Sequence, residues 1–264
     1  MRRTDCLVSA PTDSGKTWIA QEAISYIHKK GGRSWYASPL KALANSKYIE
    51  FGEYFGAKNV GILTGDRKEN PDASIIVGTT EVLRDQLYDA IHEGTDLAAD
   101  LVILDEADFL GDKDRGVVWE EVIIYLPPRV QLLLLSATIN NAHQIAHWLE
   151  SIRSKGCTVV EERVRPVSLY FLFFPPTGKL LPLIGSRGLD RKVQAYLKSR
   201  SPPVLAAPTD LPPFGEVIRV LKRFELLPAI FFLKSRADCD AALELCSNGP
   251  LGYQLGRDDL NKED

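Results

Sequence analysis

The sequence predicts an α/β domain, a parallel sheet with helices on both faces, and three observations carry that prediction. Short runs rich in Val, Ile and Leu recur through the first 160 residues: Cys6–Ala10, Ser34–Ser38, Val60–Leu63, Ser74–Gly78, Leu101–Leu104, Val130–Leu135 and Thr158–Val160. Continuous apolar runs bounded by Gly, Pro, Asp or Ser are the signature of strands covered on both sides. Longer patterns at helical spacing lie between them, over Thr17–Lys30, Lys41–Phe55, Val82–His92, Val117–Leu126 and Asn141–Ser154. In the first of these, Trp18, Ile19, Ala23, Tyr26 and Ile27 repeat along one face, and Gly31-Gly32 supplies the stop. Finally, strand and helix alternate with short connections, which is how a parallel sheet is wound.

Composition narrows the class further. The 264 residues are 45% hydrophobic and 25% charged, with 32 Lys and Arg against 35 Asp and Glu, a net charge of −3. That is globular, and it rules out a disordered or collagen-like chain. No apolar stretch approaches the roughly 18 residues a membrane span needs, and Asp5 with Pro11–Lys16 interrupts any signal sequence. The cysteines Cys6, Cys157, Cys239 and Cys246 are scattered, which argues against a disulfide framework or a zinc site and for a reducing, cytoplasmic setting. The near-neutral balance forecasts no bulk attraction to nucleic acid, although a local basic groove is compatible with it.

After about Arg165 the texture changes. Val167–Phe174 is apolar and aromatic and is read as an interdomain strand, broken by Pro175-Pro176. Ser201–Pro213 holds five prolines in thirteen residues, which excludes a central strand or a helix interior and predicts a linker. A helix over Phe214–Phe224, a strand over Ala229–Leu233, a helix over Ala237–Cys246 and a frayed polar tail complete the expectation. The domains are therefore expected at 1–165 and 214–264, with 166–213 between them, the second incomplete.

Three motifs carry chemistry. The first strand leads into Ala10-Pro11-Thr12-Asp13-Ser14-Gly15-Lys16-Thr17 and then a helix. Successive backbone N–H groups at a helix start face an anion, and the helix dipole adds to them. Lys16 is expected to reach β- and γ-phosphates, and the Thr17 hydroxyl to ligate Mg²⁺. Next, Leu101–Leu104 ends in Asp105-Glu106-Ala107-Asp108. An acid closing such a strand can hold the metal, directly or through water, opposite the phosphate loop. Glu106 would then orient the attacking water and accept its proton. The third motif is Ser136-Ala137-Thr138, whose hydroxyls can bond a carboxylate such as Asp108. Other features read as packing: Trp119 and Tyr125 as core or helix surface, and His143 with His147 as a solvated or helix-packing pair with no third ligand.

These segments recur in order with others: APTDSGKT, SPLKALANSKY (Ser38–Tyr48), GILTGD (Gly61–Asp66), VGTTEVLRDQLY (Val77–Tyr88), DEADFLGDKDRGVVWEEVIIYLP (Asp105–Pro127), SATINNAHQIAHWL (Ser136–Leu149) and FFLKSRADCDAAL (Phe231–Leu243). Together they resemble the superkiller-like branch of superfamily-two DExD/H-box helicases. The resemblance implies a P-loop RecA-like domain followed by an incomplete second one, with ATP and Mg²⁺ as cofactors and hydrolysis coupled to strand movement. It implies that Pro39, Leu40 and Lys41, then Thr79, Thr80 and Glu81 with Arg84, line a single-stranded DNA or RNA track, with Thr64, Gly65 and Asp66 nearby. Such contacts grip the backbone without reading sequence. Ser136 and Thr138 with Asp108 would couple ATP state to movement, and Lys234, Ser235 and Arg236 match a nucleic-acid motif of the second domain.

Departures from the family pattern qualify these expectations. Asp13 stands where the family's loop usually has Gly, which places a carboxylate beside a triphosphate and predicts weaker nucleotide affinity. Asp108 stands where this branch more often has His, and either can bond toward Ser136 or Thr138. The adenine-gripping segment and the later motifs with an arginine finger are not recognisable; Gln254-Leu255-Gly256-Arg257 is only a faint echo. The resemblance thus points to a helicase fragment, with a separate chain as a possible source of the missing motifs. The alternative is a module that binds ATP and nucleic acid without unwinding.

Overall fold

A computed structural model of the chain describes residues 4–112, 116–175, 178–186, 188–199 and 211–247. The chain divides into two units, Met1–Ser168 and Leu169–Asp264.

The first unit is the mostly parallel sheet with intervening helices that the sequence predicts. Its elements are β1 (Asp5–Ser9), α1 (Lys16–His28), β2 (Ser34–Ser38), α2 (Lys41–Phe55), β3 (Val60–Thr64), β4 (Arg67–Glu69), β5 (Ile75–Thr79), α3 (Thr80–His92), β6 (Leu101–Leu104), α4 (Gly116–Tyr125), β7 (Gln131–Ser136), α5 (Ala142–Arg153) and β8 (Cys157–Glu161). The strand order is β4-β3-β5-β2-β6-β7-β1-β8. Every pairing is parallel except β3 with β4. Strand β4 lies outside the predicted set, because Arg67-Lys68-Glu69 carries no apolar alternation to signal it.

Side-chain alternation along the strands feeds two cores. Leu7, Trp35, Val102, Leu104, Leu132 and Leu134 face α3, α4 and α5, where Leu83, Trp119, Val122 and Leu149 meet them. Val8, Tyr36, Ile103, Leu133 and Leu135 face α1 and α2, against Ile24, Ala44 and Phe51. Truncating one of the large buried side chains to Ala costs about 3–5 kcal/mol through lost transfer energy and the cavity left behind. Trp119, 1% exposed, is core as predicted, while Tyr125 sits edge-on to Tyr88 with centroids 5.1 Å apart. Two strands approach too closely for any side chain at Gly61, where a Cβ would stand 2.0 Å from the Asn70 carbonyl oxygen.

The second unit holds two short antiparallel pairs, β9 (Leu172–Phe173) with β10 (Leu181–Pro182) and β11 (Ile184–Gly185) with β12 (Gly188–Leu189). Its helices are α6 (Arg191–Leu197), α7 (Phe214–Arg223) and α8 (Arg236–Ser247). The strand expected over Ala229–Leu233 does not form among the described residues. Apolar composition suggested it, but a strand needs a neighbour to take up its backbone groups, and Ile230 and Phe232 are 81% and 91% exposed. Of the apolar run Val167–Phe174, only Leu172–Phe173 is extended into a ladder. Most of the proline-rich stretch and the Gln254–Arg257 echo lie outside the described residues.

Candidate functional site

The carboxyl ends of β1, β6 and β7 bring the three motifs to one edge of the first unit. Parallel pairing sets Ser9 beside Ser136, so the loop after β1 and the Ser136–Thr138 turn leave the sheet together. The Ala10 N–H donates to the Ser136 carbonyl at 3.1 Å. Ser9, 1% exposed, ties the turn down from below: its hydroxyl donates to the Ala137 carbonyl at 3.3 Å and accepts from the Ile139 N–H at 3.1 Å.

The loop itself has the backbone that anion binding requires. Asp13 and Gly15 both take left-handed conformations, at φ 67° and 86°. Asp is among the few residues besides Gly that adopt this region readily, which is how the loop forms despite its departure from the family pattern. Ser14 donates to the Pro11 carbonyl at 2.6 Å. The Lys16 ammonium lies across the loop, donating to the carbonyls of Ala10 and Pro11 at 2.8 and 3.0 Å.

Opposite the loop, β6 delivers the acids. The Asp105 N–H donates to the Ala37 carbonyl at 2.9 Å, and Asp105 Oδ1 accepts from the Glu106 N–H at 3.0 Å. Glu106 takes a left-handed turn at φ 54°. Its carboxyl is raised above the ordinary glutamate value, chiefly by burial, then by the charges of Asp105 and Asp108, with Lys16 pulling the other way. Asp108 meets the Ser136 hydroxyl at 3.5 Å, a long contact, whereas Thr138 is exposed.

Two residues of this edge escaped the sequence reading. Tyr36, fully buried in β2, donates its hydroxyl to Asp105 Oδ2. Burial and the neighbouring Asp105 charge drive the phenol's ionisation far above the usual range, so it stays a donor. A tyrosine inside a wholly buried strand always needs a partner for its hydroxyl, and that was the available signal. Lys47 on α2 donates to the Thr17 hydroxyl and to Glu50, both at 2.8 Å, and Gln21 of α1 also reaches Glu50, at 3.1 Å. Thr17 thus already accepts from a cationic head, and the hydroxyl and carboxylate donors of Thr17 and Asp105 are the hard oxygens Mg²⁺ prefers. The residues present fit the metal.

Along the same edge the predicted track residues differ in what they present. Lys41 pairs with Asp66 at 3.1 Å, both exposed, and a Cβ built on the adjacent Gly65 would stand 3.8 Å from Lys41 Nζ. The Thr64 hydroxyl and Lys41 hold the Asp66 carboxyl below its usual range. Arg84 bonds Asp85 at 2.9 Å and approaches Glu121 at 3.6 Å. Pro39, Thr79 and Thr80 have buried side chains, Pro39 directly after β2, Thr79 closing β5 and Thr80 opening α3; what they can offer is backbone, including the N–H groups that open α3. In the second unit, Lys234 and Arg236 are exposed at the start of α8, where the Ser235 hydroxyl caps the helix by accepting from the Asp238 N–H at 3.1 Å. His143 and His147 are both exposed, and no cluster of three metal-ligating side chains occurs among the described residues.

A parallel sheet whose first strand runs into a phosphate loop, faced by an acid pair at the end of β6, defines a P-loop nucleotide-binding domain. Residues 1–145 match the DEAD/DEAH box helicase family, and the chain belongs to that family. It is 38% identical to the Arabidopsis thaliana DExH-box ATP-dependent RNA helicase DExH15, chloroplastic, over the whole chain and 26% of that relative. It is 45% identical to the Saccharomyces cerevisiae antiviral helicase SKI2 over 61% of the chain and 12% of SKI2. It is 36% identical to the human superkiller complex protein 2 over 90% of the chain and 21% of that protein. The chain therefore spans about a quarter or less of each of these relatives.

Proposed function

We propose that the chain carries the ATP-binding core of an ATP-driven nucleic-acid motor, a helicase or translocase that couples hydrolysis to strand movement. The observation that carries this reading is the meeting of three motifs at one sheet edge: the Lys16 ammonium lies across the 10–17 loop, the loop is tied to Ser136 at the end of β7, and β6 ends in the Asp105-Glu106 acid pair.

In this reading the backbone N–H groups of the 10–17 loop and the Lys16 charge hold the β- and γ-phosphates. Thr17 and Asp105 hold Mg²⁺, which supplies charge neutralisation for phosphoryl transfer. Glu106 orients the attacking water and accepts its proton, a task suited to a carboxyl with raised proton affinity. Ser136, in contact with Asp108, reports the state of the site to the neighbouring turn. Lys41, Gly65, Asp66 and Arg84, with the backbone at Pro39, Thr79 and Thr80, form the strand track of the first unit, and Lys234 and Arg236 are nucleic-acid contacts of the second unit. Completion of the site by second-domain residues of a separate chain, and a cytoplasmic setting, belong to the same proposal.

The test is phosphate release from ATP with and without single-stranded RNA or DNA. Stimulation by one of them supports a motor and identifies its substrate. Turnover indifferent to either supports an ATPase unrelated to nucleic acid.

A further inference from the structure

The Tyr36 ring sits in an apolar core, and its hydroxyl lies toward an acidic edge where Glu50 and Glu106 add their charge to that of Asp105. Its ring packs edge-on against Phe51, with centroids 5.1 Å apart and planes at 89°, and it shares its core with Val8, Ala44, Val77 and Ile103. A phenylalanine would fill that space equally well. Among the described residues its hydrogen bond goes to Asp105, through Oδ2. The other carboxylate oxygen, Oδ1, accepts from the Glu106 N–H at 3.0 Å, and the Asp105 N–H is tied to β2 at Ala37. Both oxygens of the carboxylate are thus held by donors on two elements, which fixes its plane as well as its position. Each oxygen keeps lone-pair capacity for a further partner.

We infer that Tyr36 is a positioning residue for the Asp105 carboxylate, fixing its orientation for a divalent cation bound with nucleotide. The inference rests on the ATP-site reading above and adds to it the residue that sets the metal geometry. Donors behind a metal-binding carboxylate are worth about 10- to 100-fold in metal affinity when removed. They act on the metal and leave the metal-independent part of phosphate binding alone.

The experiment is a Mg²⁺ titration of fluorescent ADP binding to the full 264-residue chain, beside the same binding in excess EDTA and a thermal unfolding curve. Tyr36→Phe should raise the half-saturating Mg²⁺ concentration about 10- to 100-fold, with binding in EDTA and the unfolding midpoint close to wild type. Phe51→Leu serves as the packing control: it loosens the ring contact but keeps the hydroxyl, so it should lower the midpoint and leave the Mg²⁺ requirement unchanged. An unchanged Mg²⁺ requirement in Tyr36→Phe overturns the inference while leaving the ATP site standing. Equal shifts in both variants also overturn it, because packing alone would then account for the effect. If the wild type binds no nucleotide under any Mg²⁺ concentration, the ATP-site reading falls and takes the inference with it.

Discussion

The Arg153 guanidinium donates to the Asp5 carboxylate at 2.6 Å, with both side chains 1% exposed. Lys155 approaches the other carboxylate oxygen at 2.8 Å, and Arg153 also donates to the carbonyls of Leu126 and Val130 at 2.8 Å each. Asp5 Oδ1 also accepts from the Leu132 N–H at 2.9 Å. This cluster binds β1 to α5 and to the approach of β7, at the end of the sheet away from the phosphate loop.

Removing Arg153 leaves Asp5 Oδ2 and the Leu126 and Val130 carbonyls without this donor, while Lys155 still faces Oδ1, at a cost near the lower end of the about 3–5 kcal/mol of a broken buried pair. Arg153→Met should therefore lower the thermal midpoint by roughly 10 °C. Substituting Arg163, which is exposed and lies 3.8 Å from Glu161, should leave the midpoint unchanged, because an exposed pair contributes little. Unfolding curves of the two variants check the contrast.

Glu106 must be ionised to act as a base, and its proton affinity is raised by burial, Asp105 and Asp108. Turnover should therefore fall on acidification at a pH above that of an ordinary glutamate. Asp108→Asn removes one of the raising charges and should move that limb to lower pH. The stability sign follows from the same shift. A carboxyl whose pKa is raised on folding favours the folded state at pH below its unfolded value, and that advantage disappears as pH climbs through the folded one. Glu106→Gln should thus be the more stable protein at neutral pH, and a pH series of rates and unfolding midpoints reads both effects.

Lys41 divides its charge between Asp66 and any strand that approaches. Lys41→Ala should weaken single-strand binding uniformly across sequences and reduce the slope of log K against log salt by about 1. Asp66→Asn frees the ammonium and should tighten binding. Fluorescence anisotropy of labelled oligonucleotides at several salt concentrations measures both.

Asp13 adds a negative charge to a loop built for an anion. Asp13→Gly removes that charge and suits the left-handed backbone at φ 67°. At about 1 kcal/mol for a solvent-screened contact, ATP affinity should improve about fivefold. Calorimetric titration at low and high salt checks it, and the gain should shrink as salt screens the charge.

Much of this was legible beforehand, for physical reasons that can be named. Burial on both faces makes the strands around Val102 and Leu134 continuous apolar runs, and phosphate chemistry requires particular residue types at Lys16, Asp105 and Glu106. Tyr36 and Lys47 were not legible, because their roles depend on which strand and helix become neighbours. Tyr36 meets Asp105 only because β2 lies beside β6 in the sheet. Ala229–Leu233 shows the opposite failure, an apolar run without the partner strand that composition cannot reveal.

In the proposed function, Lys16 and Glu106 divide binding and chemistry at one ATP site. The most direct measurement is ATP affinity and phosphate release for the wild type, Lys16→Ala and Glu106→Gln, each with saturating single-stranded RNA or DNA. Lys16→Ala should lose binding and turnover together, while Glu106→Gln should keep its affinity and lose turnover. Turnover in Glu106→Gln equal to that of the wild type would contradict it.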